Sequence, residues 1–205
     1  MMLKVIDNYN DLISLIDEKT NKKVLLHSCC GPCSSACIDL LIKGLSIDVF
    51  YSNSNIDTLD EFNKRVVEQK KIVQILSPNS KVIIDEYCPE AFYESVNGLE
   101  SLGERSERCY KCYEMRMLNT IKYAKEHHYD YWTTTLSISP HKNSNWINEI
   151  GIRLSNIYKV PFLYSNFKLK DGFKKSIEFS KQYGLYRQDY CGCHFSKIER
   201  GIINE

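Results

Sequence analysis

The residues best suited to chemistry in this 205-residue chain are its nine cysteines. Most of them fall in three tight groups, Cys29-Cys30-Gly31-Pro32-Cys33, Cys109-Tyr110-Lys111-Cys112 and Cys191-Gly192-Cys193. Thiolates are ligands of zinc and of iron–sulfur clusters, and closely spaced cysteine pairs also carry redox chemistry. The first residues contain acidic side chains that a secretory signal would exclude, so we expect a cytoplasmic protein without a disulfide framework. The grouping therefore predicts a thiolate metal centre.

The number and spacing of the grouped cysteines bear on the kind of centre. Structural zinc sites usually combine two C-x2-C pairs roughly 15 to 20 residues apart, whereas these groups are separated by about 80 residues. One zinc or one cubane cluster takes four cysteines, so the surplus favours redox chemistry or a second metal. Cys37 and Cys88 stand apart from the groups, and we expect them to be buried apolar residues.

The elements that must position these cysteines alternate between strands and helices. We predict strands at 23–28, 46–51, 81–84, 130–135 and 160–163, and helices at 9–18, 32–43, 58–76, 89–96, 108–126, 145–157 and 173–183. Thr58-Leu59-Asp60-Glu61 has the pattern of a capping box, and Gly44 suits a helix C-cap. The alternation predicts one α/β domain over residues 1–205, a Rossmann-like parallel sheet with helices on both faces.

In such a sheet, ligands bind beyond the carboxyl ends of the strands, which is where the first cysteine group falls. Cys29 and Cys30 directly follow the first predicted strand, in a turn that lacks any phosphate-binding glycine motif. Cys109 and Cys112 lie one turn apart near a helix start. A helix N-terminus lowers the pKa of nearby thiols, so both groups are expected to favour thiolate.

The charge pattern limits the partners that the chain can bind. Lys and Arg number 27 against 26 Asp and Glu, so bulk charge does not predict nucleic-acid binding. No apolar run approaches the roughly 18 residues of a membrane span. The segment 167–187 is locally basic and rich in aromatic residues, which suits either a solvated helix face or contact with RNA phosphates and bases. Its candidate RNA contacts are Lys174, Lys175 and Arg187.

Polar residues also follow the predicted strands. His27 ends the first strand, where both a hydrogen-bonded core role and a proton-donor role are open. The hydroxyl-rich run from Thr133 to His141 ends the fourth strand, and it suits either β-propensity with loop capping or a polar rim facing a substrate. On the second interpretation, His27, Thr134 and His141 are candidate substrate contacts.

Taken in order, these motifs resemble the QueH family of epoxyqueuosine reductases, from His27 to about Lys197. The resemblance is carried by His27-Ser-Cys-Cys-Gly-Pro-Cys33, Glu107-Arg-Cys-Tyr-Lys-Cys-Tyr-Glu-Met-Arg116, Thr133-Thr-Thr-Leu-Ser-Ile-Ser-Pro140 and Tyr186-Arg-Gln-Asp-Tyr-Cys-Gly-Cys193. It implies reduction of epoxyqueuosine to queuosine at the wobble position of tRNA, the last step of queuosine biosynthesis, without cobalamin. It also implies a Rossmann-like domain of the adenine-nucleotide α-hydrolase type.

The resemblance further implies roles for the grouped cysteines. Four of them would hold a [4Fe–4S] cluster, namely Cys29, Cys30, Cys109 and Cys112. Cys191 and Cys193 would form a redox-active pair that closes a disulfide, or else ligate a second, mononuclear iron. Cys33 is a possible additional ligand, because some members have Asp at this position. The electron donor is unidentified, and His27, His141, Tyr113 and Tyr190 are all candidate proton donors.

Three alternatives remain open from the sequence. A tRNA-thiolating iron–sulfur enzyme would carry a Ser-Gly-Gly loop after the first strand, where this chain has Ser28-Cys29-Cys30-Gly31. A non-catalytic RNA-binding module stabilised by zinc would be colourless and would melt on chelation. A thiol–disulfide oxidoreductase that uses only Cys191 and Cys193 would leave the other grouped cysteines without a function.

Overall fold

The core of the protein is a four-stranded, all-parallel sheet, seen in a computed structural model that describes residues 6–203. The strands lie in the order β3-β2-β1-β4, and their bounds are β1 Lys23–His27, β2 Ser46–Tyr51, β3 Val82–Ile84 and β4 Tyr131–Thr134. Every connection between them contains at least one helix, as parallel pairing requires. The predicted Rossmann-like α/β fold is confirmed.

Eight α-helices and one short 3₁₀ helix accompany the sheet within the described residues. They are α1 Tyr9–Asp17, α2 Gly31–Leu41, α3 Leu59–Leu76, α4 Pro89–Ser95, α5 Glu107–Glu126, the 3₁₀ helix Thr135–Ile138, α6 Ser144–Tyr158, α7 Gly172–Gln182 and α8 His194–Glu199. Thr58 caps α3 as predicted, its hydroxyl accepting the backbone amide of Glu61 at 3.3 Å. The Glu61 carboxylate instead pairs with Arg65, so only half of the capping box forms.

Both faces of the sheet are covered, because successive side chains of a strand point in opposite directions. Val24 and Leu26 pack in one apolar cluster with α1 and α2. Leu25 points to the other face and packs in a second cluster with α5 and α6. Almost all of β1 is buried, as expected for a central strand between two helical layers.

Three details of the predicted elements are wrong. Helix α2 ends at Leu41, and Gly44 is not its cap. A Cβ at Gly44 would lie 1.7 Å from the carbonyl oxygen of Ile16, so glycine is needed for close approach to α1. Residues 160–163 form only isolated bridges, in which Phe162 pairs with Trp132 and Leu163 with Ile6. Helix α8 follows the third cysteine group, where no helix was predicted.

The strand order places a topological switch point beside β1. The chain builds β1, β2 and β3 in one direction and then returns to add β4 on the other side of β1. His27 is level with Phe50 of β2 and Thr134 of β4, so these three strands end at the same edge. A crevice opens at such a point and is the usual ligand site in this architecture. Across residues 6–203, no helix is both long enough and apolar enough to span a membrane.

Candidate metal centre

The first cysteine group forms the turn between β1 and α2. Cys30 is the N-cap of α2, and its Sγ accepts the backbone amide of Cys33 at 3.4 Å. The sulfur atoms of Cys29, Cys30 and Cys33 all lie within 4.8 Å of one another. In the part of the chain that the structure describes, no other three Cys, His, Asp or Glu residues bring their ligand atoms this close. The turn thus gathers soft ligands at the switch point.

Hydrogen bonds among the three thiols shift their pKa values in different directions. Hydrogen bonds with the thiols of Cys30 and Cys33 hold the pKa of Cys29 well below the ordinary value. The hydroxyl of Thr135 also donates to the Cys29 sulfur, at 3.5 Å. The hydrogen bond with Cys29 raises the pKa of Cys30 to about 11. Hydrogen bonds with Cys29 and Cys30 also raise the pKa of Cys33. Of the three sulfurs, Cys29 is therefore the one whose surroundings favour the thiolate.

All three cysteine groups meet at one cavity of about 220 Å³ beyond the carboxyl ends of the strands. The cysteines on its wall are Cys29, Cys33, Cys109, Cys112, Cys191 and Cys193. Cys30 is fully buried against Cys29 and is not on the wall. The two isolated cysteines lie elsewhere. Cys37 is buried in the apolar core, whereas Cys88 is the partly exposed N-cap of α4.

The second group occupies the first two turns of α5. Burial raises the pKa of Cys112 to about 11 and also raises that of Cys109. Burial therefore opposes the thiolate form that the helix N-terminus was expected to favour. Arg108 fixes this end of α5, since its Nη2 bonds the carboxylate of Glu199 in α8 at 2.5 Å.

The third group is held over the cavity by the segment that follows β2. The amide of Asp57 donates to the carbonyl oxygen of Gly192 at 3.0 Å, and Arg65 donates to that of Cys191 at 3.1 Å. Gly192 has φ +127°, and a Cβ there would lie 3.1 Å from both Arg65 Nη1 and Ile56 Cγ1. Glycine is thus required between the two cysteines. Both thiols of the pair are free.

Two of the candidate substrate contacts, His27 and Thr134, lie in the core, the structural role that the sequence left open. His27 is fully buried, with Nδ1 2.8 Å from the hydroxyl of Thr134 and Nε2 3.0 Å from the carbonyl oxygen of Ser52. Since only a protonated Nε2 can satisfy that carbonyl, the Thr134 hydroxyl donates to Nδ1. Burial, followed by the charge of Arg116, lowers the pKa of His27 to about 4. Neither His27 nor Thr134 is on the cavity wall, and the hydrogen bond between them joins β1 to β4.

The other predicted contacts divide between the cavity and the surface. His141 and Arg187 are on the cavity wall. The Nδ1 of His141 accepts a hydrogen bond from Arg105 at 2.9 Å. Lys174 and Lys175 lie on the exposed side of α7, outside the cavity, and Lys175 pairs with Asp39 at 3.0 Å. Only part of the basic segment therefore faces the site.

Sequence reasoning missed two cations that lie close to the cysteines, Arg116 and Lys142. Arg116 is fully buried on α5 one helical turn after Cys112, a spacing visible in the sequence. Lys142 is half-buried on the cavity wall. Burial opposes its charge, but the thiols of Cys191 and Cys29 hold its pKa above the ordinary range.

The donor set fits a thiolate metal centre. The sulfurs are soft ligands, three of them are already clustered, and nearby cations would balance thiolate charge. Fold and site together define a Rossmann-like α/β protein with cysteines placed to hold a metal at the switch point of its sheet.

Comparison with known proteins gives the family. The family model for epoxyqueuosine reductase QueH matches residues 24–199, and the chain belongs to this family. A Staphylococcus aureus protein named epoxyqueuosine reductase QueH is 38% identical over 191 residues, covering 90% of this chain and 80% of that protein. The Streptococcus pyogenes protein of the same name is 34% identical over 189 residues, covering 90% of this chain and 74% of that protein. The Thermotoga maritima protein of the same name is 35% identical over 183 residues, covering 86% of this chain and 91% of that protein.

Proposed function

We propose that this chain is an oxidoreductase that converts epoxyqueuosine in the anticodon loop of tRNA to queuosine. The observation that carries the proposal is the convergence of three cysteine groups on one cavity at the switch point. The chain also belongs to a family whose members are named for this reaction. Because the substrate is tRNA, we expect the enzyme to act in the cytoplasm.

The reaction needs two electrons and two protons. Both carbon–oxygen bonds of the epoxide break, a carbon–carbon double bond forms and the oxygen leaves as water. If Cys191 and Cys193 are the redox pair, closing a disulfide between them supplies two electrons and two protons. An external electron donor must then reduce that disulfide. In the alternative that the resemblance leaves open, the same pair would be ligands of a mononuclear iron.

Four of the five remaining grouped cysteines are the proposed ligands of a [4Fe–4S] cluster. Carried over from the family, the set is Cys29, Cys30, Cys109 and Cys112. When bound, such a cluster supplies electrons one at a time. The low pKa of Cys29 supports its assignment as a ligand, since ligation needs the thiolate. The sulfur of Cys33 lies within 4.8 Å of the sulfur of Cys29, and Cys33 is on the cavity wall. Both observations support a role for Cys33 as an additional ligand.

Recognition of the RNA would use the aromatic and cationic residues around the cavity. Phe173, Tyr190 and Arg187 are on its wall, and the Arg187 guanidinium is 5.7 Å from the Phe173 ring centre. An unstacked anticodon base can be bound by such rings, and its phosphates by such cations. Lys174 on the exposed side of α7 suits contact with the RNA backbone beyond the cavity.

The cavity wall also narrows the choice of proton donor. Tyr113, Tyr190 and His141 are on the wall, whereas His27 is not. Burial raises the pKa of Tyr113 above its ordinary range, so its hydroxyl keeps its proton at neutral pH. We therefore retain Tyr113, Tyr190 and His141 as candidate donors and withdraw His27.

The test is an activity assay under anaerobic conditions. Reconstituted protein and dithionite would be incubated with tRNA that contains epoxyqueuosine, and the digested nucleosides would be measured by mass spectrometry. We expect queuosine from the wild type and from Cys88→Ser, whose cysteine lies outside the cavity, but none from Cys109→Ala. Absence of queuosine from iron- and sulfide-loaded wild type would contradict the proposal.

A further inference from the structure

Arg116 is a fully buried cation whose hydrogen bonds go to neutral groups. It is 1% exposed. Its Nε donates to the carbonyl oxygen of Cys112 at 3.3 Å, and its Nη1 donates to Oδ1 of Asn53 at 3.2 Å. Its Nη2 is buried and has no hydrogen-bond partner among residues 6–203. The guanidinium is held in place, but nothing in these contacts balances its charge.

The other buried arginines show how unusual this is. Arg65 is 2% exposed and pairs with the carboxylate of Glu61, and Arg108 is 3% exposed and pairs with Glu199. No carboxylate of the described residues lies within 4.0 Å of Arg116. A guanidinium stays charged in a protein, and burying it without an opposite charge is strongly unfavourable. A fold that keeps Arg116 buried needs an anion nearby.

The thiols of the cavity are the groups that can become anionic when a metal binds. Burial acts against the charge of Arg116, yet its pKa lies above the ordinary range because of Cys112, Cys191 and Cys29, in that order. Metal binding would convert such thiols to thiolates, which would supply the missing negative charge.

We propose that Arg116 is the fixed counter-charge of the metal–thiolate centre, so that its burial is favourable only when the centre is loaded. The inference rests on the metal centre of the proposed function and not on the identity of the substrate. A buried positive charge beside the centre favours its more reduced, more negative state. Arg116 would therefore raise both the metal affinity and the reduction potential, acting as a positioning residue rather than contacting the substrate.

Two substitutions separate charge from hydrogen bonding. Arg116→Gln removes the charge but leaves an amide that can donate, whereas Arg116→Lys keeps the charge and loses the two fixed bonds. Arg153→Gln is the matched control, because Arg153 is a surface arginine paired with Glu114 away from the cavity. Each protein would be studied metal-free, loaded with Zn²⁺ alone, and reconstituted with iron and sulfide.

The readouts are Zn²⁺ affinity by competition with a chelator, urea unfolding with and without metal, and the midpoint potential of the reconstituted centre. For Arg116→Gln we expect affinity to fall about ten- to hundredfold, as for other residues that support metal ligands. We also expect a smaller gain in stability on metal loading and a more negative potential. Arg116→Lys should stay near the wild type in affinity and potential, and Arg153→Gln should match the wild type.

Equal destabilisation of the metal-free and metal-loaded forms of Arg116→Gln, with an unchanged potential, would overturn the proposal and leave Arg116 a packing residue. A metal-free Arg116→Gln protein that cannot fold would also overturn it. If these results hold but wild-type protein fails to reduce epoxyqueuosine, the proposed function fails and the counter-charge stands.

Discussion

Arg65 on α3 donates a hydrogen bond from Nη1 to the carbonyl oxygen of Cys191, with 3.1 Å between the two atoms. The same guanidinium bonds Glu61 through Nε, so its position is fixed by its own helix. This contact ties the C-terminal Cys-Gly-Cys segment to the segment after β2, across 126 positions of sequence. The third cysteine group is therefore held over the cavity by the connection between β2 and β3, which contains α3.

The first prediction concerns the glycine inside that segment. Gly192→Ala would place a Cβ 3.1 Å from Arg65 Nη1 in a backbone conformation with φ +127°, so the segment must shift. We expect queuosine formation to fall at least tenfold while the iron content stays close to that of the wild type. Gly98→Ala is the control, because Gly98 has φ +78° and open space around it. Equal activity in both variants would show that the position of the segment is unimportant.

The second prediction concerns the cluster ligands. Cys109→Ala and Cys30→Ala should each lose the iron–sulfur chromophore and all epoxide reduction, because a four-thiolate cluster tolerates the loss of a ligand poorly. Iron, sulfide and activity would be measured on the same preparations. Cys88→Ser should match the wild type. If either alanine variant retains activity, the ligand set is wrong, and Cys33→Ala then becomes the next variant to measure.

The third prediction separates the redox pair from the cluster. The double variant Cys191→Ser, Cys193→Ser should keep much of the visible absorption, since the proposed cluster ligands lie on other elements, yet turnover should stop. Absorption spectra and queuosine yield would be recorded together. Turnover that survives the double substitution would make the pair structural.

The fourth prediction follows from the buried His27. Its pKa is about 4 in the folded protein, against an ordinary value near 6.5, so the unfolded chain takes up a proton first as the pH falls. The free energy of unfolding of the metal-free protein should therefore drop between about pH 6.5 and pH 4, by roughly 3 kcal/mol. Urea unfolding across this range would measure it.

His27→Gln should lack this part of the pH dependence, because its side chain does not titrate. The difference between the two proteins isolates His27 from carboxylates that titrate in the same range. Parallel curves for wild type and variant would mean that His27 is not kept neutral by its burial.

Much of the fold was predictable because its signals are local. The cap at Thr58, the apolar run ending at His27 and the proline at the start of α2 each depend on a few neighbouring residues. The prediction that Gly44 caps a helix was wrong, because glycine is needed there for close approach to the carbonyl oxygen of Ile16, which is distant in sequence. A long-range contact of this kind leaves no local pattern.

The site shows the same division. The grouping of the cysteines was visible in the sequence, but the way they share one cavity was not. The role of Arg116 could not be predicted from the sequence, because it depends on the packing of α5 beside Asn53 and the cavity thiols. For His27 and Thr134 the sequence left a structural role and a substrate contact both open. The structure shows them bonded to each other, because strand register decides which polar side chains meet inside.

The most direct test of an iron–sulfur centre is the iron and acid-labile sulfide content of protein purified without oxygen, together with its visible spectrum before and after dithionite. We predict a brown protein that bleaches on reduction, with about four irons per chain and matching sulfide, or about five irons if Cys191 and Cys193 ligate another. A colourless protein with one zinc and no sulfide, even after attempted reconstitution, would contradict the account.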